Sequence, residues 1–139
     1  MAEITGAKYA VAVGCGLDAI RLIFDAYIHL GRLKRGDAVA VPANTFIASV
    51  LPLTELGLKV IPVEPHPTHY ATDFLEMIRA VDEHPEIKAI LPVHLYGNPL
   101  WDYEIAEILR NRGILIVEDA CQAIGTAGSL GAAAAFSFY

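Results

Sequence analysis

The sequence predicts an α/β fold: a mostly parallel sheet with helices on both faces, three layers deep. Three observations lead there. Strand-like and helix-like segments alternate along almost all of the 139 residues, the order that builds right-handed crossovers and a doubly wound sheet. Strand candidates such as Ala89-Ile90-Leu91-Pro92-Val93 are continuously apolar rather than alternating, as parallel strands covered on both faces read. Helical stretches are closed by Gly31, Gly57 and Gly113, the residue type that most easily takes the left-handed turn after a helix.

The elements follow in order. Residues 9–13 are a short apolar run ending in Gly14-Cys15-Gly16 and read as the first strand. Residues 18–30 have helical spacing through Ile20, Ile23, Phe24 and Tyr27. Residues 38–41 are a strand ending at Pro42, and residues 47–56 a helix in which Pro52 is a kink or break. Residues 59–63 are a strand; Thr72 then caps a helix running to about residue 83, with Glu76 one residue off the ideal capping-box position. Residues 88–93, 114–117 and 133–138 read as strands and residues 103–112 as a helix. The Gly- and Ala-rich residues 127–135 are a tight loop feeding a close-packed strand.

Length and the lack of any linker or repeat predict a single domain over residues 1–139. Hydrophobic residues make up 55% and charged residues 19%, richer in apolar residues than an average domain. Either the sheet is buried on both faces or a partner covers part of the chain. The net charge is −6, from 10 basic and 16 acidic residues, a poor match for nucleic acid. The basic stretch Arg32-Leu33-Lys34-Arg35 is a helix exit that complements the helix dipole. Cys15 and Cys121 have no metal-ligand spacing and read as reduced thiols of a cytoplasmic protein. No metal site, membrane span or signal peptide is expected.

Chemistry collects at the ends of the strands, where open α/β sheets bind ligands. Gly14-Cys15-Gly16-Leu17-Asp18-Ala19 fits G-x-G-x-x-A between a strand and a helix. A dinucleotide site would also need an acid at the tip of the second strand, and Val41-Pro42-Ala43-Asn44 has none. What survives is one phosphate held by N–H groups at a helix start, or a plain glycine turn with Asp18 as a first-turn acid. Phe46, just past the second strand, is placed to stack on a flat ring or to enter the core. His94, in Pro92-Val93-His94-Leu95-Tyr96-Gly97, reads as structural. Asp119, in Val117-Glu118-Asp119-Ala120-Cys121-Gln122-Ala123, is an acid at a buried strand tip that needs a partner. A protonated ring nitrogen would serve, as would a helix cap. Gln122 lies on the same side of the following turn. Ser137, by itself, signals nothing.

Together these segments resemble the DegT/DnrJ/EryC1/StrS family, pyridoxal-phosphate (PLP) sugar aminotransferases of fold type I. The resemblance runs through residues 12–19, 41–48, 92–97, 116–123 and 131–139, in the family's order and at nearly its spacing. It implies a partial PLP-binding large domain, with the family's small C-terminal domain and N-terminal segment absent. It implies that Gly16, Leu17 and Asp18 hold the cofactor phosphate through backbone N–H groups and that Ser137 adds its hydroxyl. It implies that Phe46 stacks on the pyridine ring, that Asp119 pairs with the ring nitrogen and that Gln122 hydrogen-bonds the ring hydroxyl oxygen. The Schiff-base Lys of the family would lie past Tyr139, so no catalytic residue is assigned within the chain. Leu17 stands where the family usually has Thr, Cys15 where it has Ser, and Ala132 where it has Asp, and a short hairpin between residues 125 and 129 is skipped.

The function this implies is a fragment of an enzyme that transfers an amine from an amino acid, usually glutamate, to a nucleotide-linked keto sugar. The fragment alone is expected to be inactive and to expose apolar surface, and the full-length relative to be a homodimer. A sugar dehydratase of the same family is the alternative, as is a non-catalytic phosphate- or PLP-binding remnant.

Overall fold

A computed structural model of the chain describes residues 1–99, 102–128 and 130–138. Five short strands, β1 (Ala38–Pro42), β2 (Lys59–Val63), β3 (Ile87–Ile90), β4 (Leu115–Asp119) and β5 (Ala133–Ala135), form one sheet in the order β2-β1-β3-β4-β5. Every pairing is parallel. A further parallel bridge between Val93 and Asp119 carries the β3–β4 pairing to the sheet's C-terminal rim. Five helices accompany the strands: α1 (Ala2–Thr5), α2 (Gly16–His29), α3 (Leu51–Glu55), α4 (Phe74–Glu83) and α5 (Tyr103–Asn111).

The strands β1 and β4 are buried throughout and β3 all but at Lys88, whereas the edge strands β2 and β5 are partly exposed; alternation sorts the buried side chains between two cores. On one face Ala38, Ala40, Ile87, Ile90, Ile114 and Ile116 pack under α4 and α5, which contribute Phe74, Met77, Ile105 and Leu109. On the other, Val39, Val41, Ala89, Leu91, Leu115 and Val117 meet Ile20 and Phe24 of α2 and Leu53 of α3. This is the three-layer arrangement the continuously apolar strands predict.

Several elements differ in detail from the sequence expectation. The strand expected at residues 9–13 is not formed: Tyr9 and Val11 are exposed, and the run pairs with neither edge strand, so its β-propensity has no ladder to join. The helix expected over residues 47–56 is split into a 3₁₀ turn (Ile47–Ser49) and α3. Pro52 sits in the first turn of α3, where its missing N–H costs nothing. Asp73, not Thr72, caps α4, accepting from the N–H groups of Leu75 and Glu76. That shift puts Glu76 at the third helical position, where a capping box wants it. Thr72 is buried and serves another strand: its hydroxyl accepts from the Val93 N–H at 2.9 Å and donates to the Val93 carbonyl at 3.1 Å. The last strand closes at Ala135, short of residue 138. Ser129 and Tyr139, which bound the skipped hairpin and the last family-like segment, lie outside the described residues.

The C-terminal rim is fixed by Glu118, which is fully buried. One carboxylate oxygen accepts from the Leu130 and Gly131 N–H groups and the other from the Gly128 N–H at 2.8 Å. The second oxygen also lies 3.2 Å from His94 Nε2. Four donors meet the need of a desolvated carboxylate. Gly131 permits the approach, since a Cβ there would stand 2.6 Å from the Ile116 carbonyl oxygen. Replacing Glu118 by Ala would strip three backbone N–H groups and His94 of their acceptor. We expect a loss of about 3 kcal/mol or more in urea unfolding, and a loss under about 1 kcal/mol would show that the carboxylate does not hold this loop.

Candidate functional site

The cleft lies at the C-terminal ends of β1, β3 and β4, beside the start of α2. Its lining includes Gly16, Leu17, Phe46, Ser49, His94, Asp119 and Gln122. Strand order reverses between β1 and β3, since the chain runs outward from β1 to β2 and then returns past it. Crevices at such reversals are where doubly wound sheets bind ligands.

One end of the cleft is suited to an anion. The residue before α2, Cys15, supplies no side-chain cap, so the first-turn N–H groups at Gly16, Leu17 and Asp18 face outward without the usual side-chain acceptor. Ser137 lies beside them: a Cβ built on Gly16 would stand 2.9 Å from Ser137 Cβ and 2.5 Å from Cys121 Sγ. Only glycine lets the helix start approach this closely. The Asp18 carboxylate is turned back toward Gly14, 2.7 Å from where a Cβ would sit there.

The other end carries Asp119, which is buried. It is the last residue of β4, and alternation sends its side chain to the opposite face from Glu118. Its Oδ2 accepts from Ser49 Oγ at 2.6 Å and its Oδ1 from the Cys121 N–H at 3.2 Å. Phe46 is 72% exposed and stands over the cleft rather than in the core. Gln122 Oε1 accepts from the Tyr96 N–H at 2.7 Å, which leaves the amide N–H groups of Gln122 as what it can offer a ligand. Tyr96 takes a positive φ of 57° there. The seven residues singled out in the sequence therefore cluster: five line the cleft, while Asp18 and Ser137 stand at the helix start that forms its end. Among the described residues no group of three or more His, Cys, Asp or Glu could hold a metal, and no helix is long and apolar enough to cross a membrane.

The chain matches, over residues 1–139, the model of the DegT/DnrJ/EryC1/StrS aminotransferase family. It belongs to that family. It is 42% identical to a dTDP-3-amino-3,4,6-trideoxy-alpha-D-glucose transaminase of Streptomyces venezuelae, with 94% of this chain and 35% of the relative covered. It is 40% identical to a dTDP-3-amino-3,6-dideoxy-alpha-D-galactopyranose transaminase of Aneurinibacillus thermoaerophilus, covering 99% and 38%. Among solved structures, the E. coli GDP-4-keto-6-deoxy-D-mannose-3-dehydratase with bound hydrated PLP superposes with a TM-score of 0.82 at 36% identity, covering 91% of this chain and 33% of that one. The chain thus spans little more than a third of the length of the relatives it matches. The fold class, including its fold type I likeness, is as the sequence predicts.

Within this DegT-family site, three residues escape the sequence reading. Glu118 is hidden beside the more conspicuous Asp119. Thr45 and Ser49 lie in a stretch whose helical spacing drew attention to its apolar residues; a hydroxyl four residues after another in such a stretch is the one signal that marks them. Cys121 is also shaped by the site. Burial pushes its thiol well above the ordinary range, and the neighbouring Asp119 carboxylate adds to the rise, so it stays protonated at neutral pH. Cys15, by contrast, is exposed. At pH 7.5 iodoacetamide should label Cys15 alone, with Cys121 reacting only once urea unfolds the chain; mass spectrometry of the peptides reads this directly. Because the folded thiol titrates above the unfolded one, its contribution to stability is complete below about pH 8.5 and is lost as the pH rises further.

Proposed function

We propose that this chain is the cofactor-binding part of a PLP-dependent sugar aminotransferase, the central part of its large domain. The observation that carries the reading is a single cleft with an uncapped helix start at one end and a buried carboxylate at the other. That donor set fits a flat, phosphorylated pyridine. The N–H groups of Gly16, Leu17 and Asp18, with the Ser137 hydroxyl, would hold the phosphate. Phe46 would cover one face of the ring, Gln122 would donate to the ring oxygen, and Asp119 would hold a proton on the ring nitrogen. Bound there, pyridoxal phosphate supplies the electron sink for moving an amine.

The names of the relatives, transaminases of dTDP-linked amino sugars, support a nucleotide-linked keto sugar as acceptor; the donor in this reading is an amino acid, usually glutamate. The dehydratase relative supports the second reading, loss of a sugar hydroxyl on the same cofactor. None of the four lysines, Lys8, Lys34, Lys59 and Lys88, lines the cleft, so the chain by itself offers the cofactor no amine there and is expected to turn over neither substrate. Exposed apolar residues near the cleft rim, among them Phe46, Ile47 and Tyr96, suit a homodimer of the full-length protein. A cytoplasmic location fits two unpaired cysteines.

Equilibrium dialysis tests the reading. Pyridoxal phosphate should bind saturably at one site per chain, and Asp119→Asn should weaken it at least tenfold. Absence of saturable binding by the wild-type chain would overturn the proposal. Borohydride treatment of the bound sample should leave the chain mass unchanged, since the cleft holds no lysine; a stoichiometric reduced adduct would contradict the assignment.

A further inference from the structure

Asp119 is the end of a hydrogen-bond chain that no sequence motif announces. Ser49 Oγ lies 2.6 Å from Asp119 Oδ2 and 2.8 Å from Thr45 Oγ1. An ionised carboxylate can only accept, so the one hydroxyl proton of Ser49 is committed to Asp119. Thr45 must then be the donor to Ser49. The chain has a single polarity, Thr45 to Ser49 to Asp119, and each bond polarises the next.

The relay also grips the backbone between its two hydroxyl residues. Phe46 follows Thr45 directly, and its carbonyl accepts from the Ser49 N–H at 3.0 Å. Ser49 is 1% exposed and is the last residue of the 3₁₀ turn that Phe46 precedes. The Cys121 N–H holds the other carboxylate oxygen, so the plane of Asp119 is fixed from both sides. A ligand meeting Asp119 therefore meets a carboxylate that cannot turn, under an aromatic ring whose backbone is tied to it.

We propose that Ser49, supported by Thr45, is a positioning residue that locks Phe46 and Asp119 into one frame, setting the aromatic face and the ring-nitrogen partner for pyridoxal phosphate. The proposal rests on the PLP-binding reading above. The side-chain hydrogen bonds of Ser49 go to Thr45 and Asp119, at the ring end of the cleft rather than to the helix start, and that separation gives it a test. The phosphate end is probed with inorganic phosphate alone, as a competitor for the helix start.

The experiment measures PLP affinity and the induced circular dichroism of the bound ligand for wild type, Ser49→Ala, Thr45→Val and Thr45→Ser, with inorganic phosphate affinity and thermal unfolding alongside. Ser49→Ala should weaken PLP about tenfold and diminish the induced signal, leaving phosphate affinity within twofold of wild type. Thr45→Val should weaken PLP about threefold, and Thr45→Ser, which keeps the hydroxyl, should restore wild-type behaviour. Folded Ser49→Ala with wild-type affinity and signal would overturn the proposal, as would an equal loss of phosphate and PLP. Should Ser49→Ala fail to fold, Thr45→Val against Thr45→Ser decides in its place: unchanged PLP binding by Thr45→Val overturns the proposal. A wild-type chain that binds no PLP sinks this inference together with the functional reading, whereas unchanged variants of a binding wild type sink this inference alone.

Discussion

Two acids in a row at the end of a buried strand impose a constraint on everything around them. Neighbouring residues of a strand point to opposite faces, so Glu118 and Asp119 cannot share a set of partners. Glu118 is satisfied by the turn before β5 and by His94, and Asp119 by the loop after β1 and by its own following turn. Each carboxylate holds the other's backbone in place. If Glu118 lost its loop, β4 could slide or twist, and the carboxylate in the cleft would move with it. The acid in the cleft is thus aimed by a loop-holding acid one residue away.

The sequence carried the fold through its strongest signal, apolar runs between glycine-closed helices, and those segments recur as β1 to β4 with ends shifted by a few residues. It failed where local pattern and tertiary pairing disagree. Residues 9–13 are as apolar as a strand but have no neighbour in the described sheet; Thr72 looks like a cap but its hydroxyl is used at Val93. For the site, conspicuous residues at strand tips were legible: a carboxylate at β4, an aromatic after β1, a glycine turn before α2. What holds them was not. Hydroxyls at Thr45 and Ser49 become meaningful only when β1 and β4, separated by β3, bring residues seventy positions apart within 2.6 Å.

The cleft also shows why its parts can be replaced one at a time. Its residues come from loops after three strands and from one helix start, while the cores beneath them are aliphatic and continuous. Leu17 is an example. A backbone N–H at that position is available whatever the side chain, so a change of side chain there leaves the helix-end field in place. In the proposed reading the phosphate end draws on backbone N–H groups with the Ser137 hydroxyl beside them, and the ring end on side chains.

The order of the strands has a consequence for how the molecule comes into being. All pairings are parallel, so no hairpin is available to start the sheet and each pairing must close a loop. Ala38 meets Lys59, Ala89 meets Leu115 and Val117 meets Ala133 across comparatively short loops, but Ala38 meets Ile87 only across a much longer one. The β1–β3 pairing is therefore a seam between two halves of the sheet, one holding Thr45, Phe46 and Ser49, the other His94, Asp119 and Gln122. The cleft straddles that seam. It does not exist in either half alone, so a ligand that filled it would favour the docked state of the two halves.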